Sequence, residues 1–293
     1  MSATAITPAG APAAAPSART ARRPRASVSA AVSIGWLALL AAAALLADVL
    51  PLHDYISQAD APNRAPNWSA EFLGTDSVGR SMLSRLVYGG RISFLIGLGA
   101  TGLSMAVGGA LGLVSAHFGG ALRSAIDVLA NTVLAIPSLL FLLAISIALQ
   151  PSIGMLIVLL SITTAPAFMR LAYASARAEM HKDYIVAANL MGAGSLRVMF
   201  REVLPNVVMP LLSYAVVVVP AMMIVEGSLS FLGFGVKAPR PTWGAMIAAG
   251  RIRLDTHAWE AMLPCLVLFV TVFALNRAGD LARSRYGSRD GGV

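Results

Sequence analysis

Six stretches of this chain are each close to the 20 or so apolar residues that a helix needs to cross a bilayer. They cover residues 31–50, 92–116, 125–148, 152–169, 207–227 and 260–277. No other feature constrains the fold as tightly. In hydrocarbon every backbone amide must find its partner within its own segment, so runs of this kind fold as helices. Of the 293 residues, 57% are hydrophobic and 12% charged, which is too little charge to cover a soluble domain of this size. The expectation is an all-α integral membrane protein with six transmembrane helices, embedded in a lipid bilayer.

The rest of the chain is punctuation around those runs. Residues 1–30 are rich in Ala, Pro and Ser and end in Arg19, Arg22, Arg23 and Arg25, which reads as a disordered tail with a basic stop. The run after it is too long for the apolar part of a signal peptide and is expected to be an uncleaved anchor. Residues 51–91 form a polar segment, and the third and fourth runs are parted only by Gln150-Pro151-Ser152. The apolar core then spans 92–277, interrupted by a charged loop at 170–206 and followed by a tail at 278–293. Of the 22 Lys and Arg residues, 14 fall on the side of the N-terminus if that end is inside, and 8 on the other. Cytoplasmic loops carry the excess of basic residues, so both termini and the 170–206 loop are expected in the cytoplasm and 51–91 outside.

The net charge of +8 reads as basic loops beside a membrane, not as a nucleic-acid surface. Cys265 is the single cysteine, so there is no disulfide framework. His53, His117, His181 and His257 stand apart without ligand spacing, and no metal or cofactor site is expected. No GxxxxGK[ST] loop occurs, so the sequence shows no phosphate loop by which the chain would capture ATP. The GxGxxG match at 97–102 lies inside an apolar run and follows no strand; helix packing explains it. Gly108 and Gly112 form a GxxxG pair in the same run, suited to close helix contact within the chain or with a partner.

The charged loop contains "DYIVAANLMGAGSLRVMFREVLPN", residues 183–206. Tyr184, Ala187, Ala188 and Met191 follow helical spacing and form an apolar face that is small in the middle. Gly192 and Gly194 can make a tight turn, Ser195 is a plausible N-cap for a second helix, and Pro205 is expected to end it. A shallow face of this kind either receives the ridge of a partner or packs on the chain's own membrane domain.

Those residues resemble the coupling-loop signature of ABC importer permeases: EAA, three residues, Gly, nine residues, Ile, any residue, Leu-Pro. Ala187, Ala188, Gly192, Leu204 and Pro205 fall in register, whereas Val186 replaces the glutamate and Glu202 the isoleucine. In the dipeptide/oligopeptide/nickel branch an acidic residue sits earlier, here Asp183 before Tyr184. "FLGTDSVGRSMLSRLVYGGRISFLIG" (72–97) and "EGSLSFLGFGVKAPRPTWGAMIAAGR" (226–251) are similar to two outer segments of that branch, in the manner of its C-type subunit. Ser81 and Asn131 stand where the branch usually has Asp. The resemblance implies a type I ABC importer permease fold in a bacterial inner membrane. It also implies a transport subunit that is not itself an enzyme, paired with a sister permease, two ATPase subunits and an extracytoplasmic binding protein. Peptides are the expected substrate, with nickel chelates or glutathione as alternatives.

On that reading Asp183, Tyr184, Ala187, Ala188, Gly192, Ser195, Leu204 and Pro205 couple to the ATPase. Lys237, Pro239, Arg240, Pro241 and Trp243 would make a stiff, amphipathic ledge on the outer face. The ledge either meets the binding protein or gates the path, or else only plugs the top of its own bundle. Asp127 and Glu226 are the ionisable residues nearest the membrane interior. Glu226 suits either gate lining or a structural hydrogen bond to the glycine-rich loop that follows it. A secondary transporter would instead carry ion-coupling carboxylates at mid-membrane, and a membrane hydrolase a buried nucleophile and base; the central runs offer neither.

Overall fold

A computed structural model describes residues 28–67, 71–149 and 152–287. Residues 1–27 of the expected tail, residues 68–70, the Gln150-Pro151 link and the last six residues lie outside these. Among the described residues ten α-helices follow one another: α1 (Val28–Leu45), α2 (Met82–Phe118), α3 (Gly120–Ala135), α4 (Ser138–Leu149), α5 (Ile153–Met180), α6 (Asp183–Leu190), α7 (Ser195–Val198), α8 (Leu204–Phe231), α9 (Trp243–Gly250) and α10 (Trp259–Gly287). Five helices are long and apolar enough to cross a membrane: α1, α2, α5, the continuous run of α7 into α8, and α10.

The remaining expected span, 125–148, is not a straight rod. It is the pair α3 and α4, bent by 81° at Ile136-Pro137. Ile136 is extended (φ −91°, ψ 124°), the conformation forced on a residue before proline. The apolar run is continuous across the bend, so hydropathy alone could not reveal it. Among the described residues the candidate spans are therefore five, or six with the bent pair counted as one.

The core lies between α2, α5 and α8. Ala100, Ser104, Gly108, Gly112 and Ala116 repeat every four residues along α2, all buried, and turn one narrow face to α5. A Cβ at Gly108 would lie 2.8 Å from the Cβ of Phe168, and one at Gly112 would lie 2.6 Å from that of Ala172. The Ser104 hydroxyl also donates to the Ser161 carbonyl (3.1 Å). Small residues at this spacing let backbones approach closely and replace the hydrophobic drive that lipid cannot supply. The GxxxG pair thus faces α5 of the same chain. On the far side, Leu142 of α4 and Val207 and Leu211 of α8 complete the same apolar cluster.

α2 begins at Met82, ten residues before the expected span. Its first turns hold Arg85 and Arg91, which read as loop in the sequence but are paired here: Arg85 with Asp76 (3.5 Å) and Arg91 with Asp48 (2.8 Å). The Arg91 hydrogen bond also keeps the Asp48 carboxyl below the usual carboxylate range. α1 lies against α10, fastened by Trp36 Nε1 to Thr271 Oγ1 (3.1 Å) and by Arg277 to Ser29 Oγ (2.9 Å).

Candidate functional site

The loop between α5 and α8 folds as the helical hairpin expected of it, with two corrections. α6 ends in a paired-bond turn: Ala193 N–H donates to Ala188 O (3.1 Å) and Gly192 N–H to Asn189 O (3.0 Å). This 6→1 and 5→2 pattern needs a left-handed residue between its arms, and Gly192 has φ +81°. The first correction concerns Ser195. Gly194, with extended backbone (φ −64°, ψ 142°), takes the cap position, so Ser195 is the first helical residue and its hydroxyl faces His117 Nε2 at 3.5 Å. The second concerns Pro205, which does not end the helix. α7 passes through one π-helical turn (Met199–Val203) straight into α8. Leu204 N–H bonds back to Met199 O, so the register has already slipped by one residue before proline, which has no N–H to give.

Three bonds lock this hairpin to the bundle. Ile185 is 2% exposed and joins the main core cluster. The Tyr184 hydroxyl donates to Glu179 at the end of α5 and accepts from Asn206 Nδ2 (3.2 Å) at the start of α8. Lys182 pairs with the other Glu179 oxygen (2.8 Å). Partial burial and the Glu179 carboxylate push the Tyr184 phenol up to about 12, so it remains a proton donor at any physiological pH. Asp183 opens α6, where a carboxylate meets the positive end of the helix dipole.

Of the small residues on α6, Ala187 is exposed. Ala188 is half-buried and lines a cavity of about 310 Å³ with Gly192, Ala193, Arg197 and Glu202. The outermost apolar side chains are Leu190 and Met191, 84% and 83% exposed.

About 30 residues up α2 from Ser195's contact at His117, roughly 45 Å away at 1.5 Å per residue, lies the opposite end of the bundle. There the expected ledge divides. Lys237, Pro239 and Arg240 are exposed, but Pro241 and Trp243 are buried. Trp243 is 1% exposed; its indole rests on Gly90, meets Phe94 edge-on at 5.8 Å, and donates from Nε1 to Leu86 O (2.9 Å). It is a peg of the bundle and no part of the outer surface.

Beneath it Glu226, 1% exposed, accepts from Ser230 Oγ (2.7 Å) and is hydrogen-bonded to Thr242 and Ser93. Thr242 also caps α9 through Ala245 N–H (3.1 Å), and Ser93 Oγ accepts from Trp243 N–H (3.3 Å). The node ties α2, α8 and α9 together with hydroxyls, and no ion pair reaches Glu226 among the described residues.

The sequence of residues 108–284 matches the family model described as binding-protein-dependent transport system inner membrane component. The chain belongs to this family. Among relatives of this permease is the di/tripeptide transport system permease protein DppC of Pseudomonas aeruginosa, 39% identical over 220 residues and covering 73% of each chain. The dipeptide transport system permease protein DppC of Haemophilus influenzae is 36% identical over 211 residues and covers 72% of each. The glutathione transport system permease protein GsiD of Pectobacterium atrosepticum is 33% identical over 221 residues, covering 75% of this chain and 73% of its own. A chain of the MetNI methionine ABC transporter, solved facing inward, superposes with a TM-score of 0.56 at 18% identity, over 69% of this chain and 97% of that one. At that identity the likeness concerns the fold alone. The chain is a C-type permease subunit of a binding-protein-dependent ABC importer, multi-pass and of the inner membrane.

Several elements of the permease had no assigned role in the sequence. Glu179, Leu190 and Asn206 hold or form the hairpin, and only the helical phase of Val186 and Leu190 hinted at an exposed apolar edge. The Leu73–Ser81 stretch is a compact knot. Asp76 accepts from the backbone N–H groups of Val78 (2.9 Å) and Arg80 (3.0 Å) and from Arg80 Nε (2.7 Å). Gly74 and Gly79 have φ of +76° and +83°, and Ser81 donates to Glu71 (2.6 Å). Ser81 thus gives the buried Glu71 carboxylate a hydrogen-bond donor. Among the described residues no group of His, Cys, Asp and Glu is arranged to hold a metal.

Proposed function

We propose that this permease imports short peptides, pairing with a sister permease to line the path and seating its hairpin on an ATPase subunit. Short peptides are the cargo that the relatives' names share, since glutathione is itself a small peptide. A second permease, two ATPases and an outer binding protein complete the assembly, with ATP hydrolysis confined to the ATPases. The observation that carries the coupling role is the pair Leu190 and Met191, held in water at the tip of a helix that Ile185 and the Tyr184–Glu179 bond fix rigidly. Large apolar side chains cost solvation when left in water, and each contributes about 1.5–3 kcal/mol when a partner covers it. Asp183, Tyr184, Gly192, Ser195, Leu204 and Pro205 belong to the hairpin around that helix; Ala187 and Ala188 leave its flank low enough for close approach. Displacement at the ATPases then moves α5 and α8, which enter the hairpin from either side, and drives alternating access.

Replacing Leu190 and Met191 together with Asp should abolish co-purification of the ATPase and uptake, with normal amounts of permease in the membrane. Full ATPase retention with normal uptake would remove the hairpin from the mechanism.

The basic-residue count supports a cytoplasmic hairpin and termini, with Lys237, Pro239 and Arg240 outside, where they can meet the binding protein. Glu226, Pro241 and Trp243 support that ledge from beneath. In a Cys265→Ser background, Lys182→Cys should react with impermeant reagents only from the cytoplasmic side and Lys237→Cys only from outside. Outside labelling at position 182 would invert the topology.

A further inference from the structure

α3 and α5 share a polar seam that the coupling hairpin and the outer node leave unused. Along α3, Arg123, Asp127 and Asn131 recur every four residues; Arg170 and Tyr173 of α5 meet them, and Arg177 follows one turn further along α5. Arg123 pairs with Asp127 (3.4 Å) and lies over the Tyr173 ring at 4.5 Å. At the deepest rung, Arg170 Nη2 donates to Asn131 Oδ1 (2.7 Å). Three arginines thus stand against one aspartate, and neither Arg170 nor Arg177 has an acidic partner among the described residues. Both are exposed on this chain.

Arg170 directly follows the apolar run 152–169, at the point where α5 leaves hydrocarbon, and a guanidinium there belongs where water or a counter-charge can reach it. Asn131 decides which. An aspartate there would neutralise Arg170; the neutral amide instead accepts one N–H, orients the fork, and leaves the charge and the other N–H groups open. Immediately outward lies an apolar cavity of about 320 Å³, walled by Leu111, Ala130, Val133, Ile162 and Met169. Ala130 and Met169, which line that hollow, each directly precede a member of the Asn131–Arg170 pair in the chain. A fixed guanidinium next to an apolar hollow matches a small amphiphile with a carboxylate, because guanidinium and carboxylate pair in a planar, bidentate way.

We propose that Arg170, oriented by Asn131, is a station on the permeation path that holds the carboxylate of a passing peptide, while Arg177 and Arg123 continue the positive field toward the hairpin end. This rests on the peptide-import reading above and names the residues that read charge within it. It makes this chain a filter that favours anionic over cationic peptides, apart from any choice made by the binding protein.

The test uses the complete transporter in proteoliposomes, with saturating binding protein and ATP, and compares maximal uptake rates of Ala-Glu, Ala-Ala and Ala-Lys. Asn131→Asp and Arg170→Gln should each lower the Ala-Glu to Ala-Lys rate ratio by about tenfold, the effect of one charge pair of about 1.4 kcal/mol in a partly hydrated site. Arg170→Lys should keep most of the ratio, because the charge remains. A uniform fall for all three peptides with an unchanged ratio would make the seam structural and overturn the proposal. Loss of the sister permease from the purified Arg170→Gln complex would assign the charge to a subunit contact and overturn it equally. If the unmodified transporter took up none of the peptides, the peptide reading itself would fall; peptide uptake with an unaltered ratio sinks only the station.

Discussion

Trp243→Ala is expected to destabilise the permease by about 3–5 kcal/mol, the range for emptying a large aromatic site that cannot collapse. Collapse is blocked because the walls of the site are rigid. The indole lies on Gly90, where an added Cβ would stand 2.8 Å from its Cζ2, and on the backbone of α2 near Gly89. Neither glycine has a side chain to move into the void. Leu86 O would also lose its indole donor in a buried position. Part of the cost is dispersion rather than hydration, so it persists in a membrane or detergent environment where water is scarce. Because Thr242, beside the indole, bonds to the Glu226 node, the damage should spread to α9 and the start of the ledge. Thermal unfolding in detergent measures it, with Trp243→Phe as an intermediate that refills most of the space. A melting temperature within a degree or two of the parent would mean that α9 is not anchored through this ring.

The sequence made some of these elements visible and hid others for definite reasons. Hydropathy located the spans because lipid burial depends on composition. It could not locate the 81° bend at Ile136-Pro137, since an apolar run has no direction. Turn chemistry made Gly192 legible: only a left-handed residue closes that pair of bonds, and glycine adopts it without strain. Pro205 misled because the rule that proline ends a helix assumes an unbroken i→i−4 register, and the π turn before it shifts that register. Trp243 and Pro241 misled differently. A short polar stretch around an aromatic reads as surface, and nothing local announces that Gly89 and Gly90, some 150 residues away in sequence, have cleared a slot for it. Likewise Arg85 and Arg91 read as loop until Asp76 and Asp48 supply their counter-charges. For Trp243 and Arg91 the deciding partner is remote in the chain.

Gly112→Leu should have the largest effect on function, because it strikes the seam that joins the membrane core to the hairpin. The Cβ it adds would fall on the Met169 carbonyl and within 2.6 Å of the Ala172 Cβ, with the Tyr173 amide nitrogen at 2.9 Å. Two of these neighbours are helix backbone, which cannot rotate away as a side chain can. α2 and α5 must therefore separate, at a cost above the roughly 1–3 kcal/mol of ordinary overpacking. Separation also breaks the spacing along the other small residues, Ala100, Ser104 and Gly108, since all lie on one face. α5 continues without a break to Met180 and α6 opens at Asp183 after two intervening residues, so a tilt of α5 is passed directly to α6. Glu179, which fastens Tyr184, sits on the last turn of that lever. The expected outcome is strongly reduced permease in the membrane and no uptake from what remains. Gly112→Ala separates the two contributions: its smaller intrusion should leave measurable permease with weakened ATPase stimulation. Normal abundance and uptake in Gly112→Leu would show that the two helices slide freely past each other, and the lever from α5 to the hairpin would then have to be abandoned.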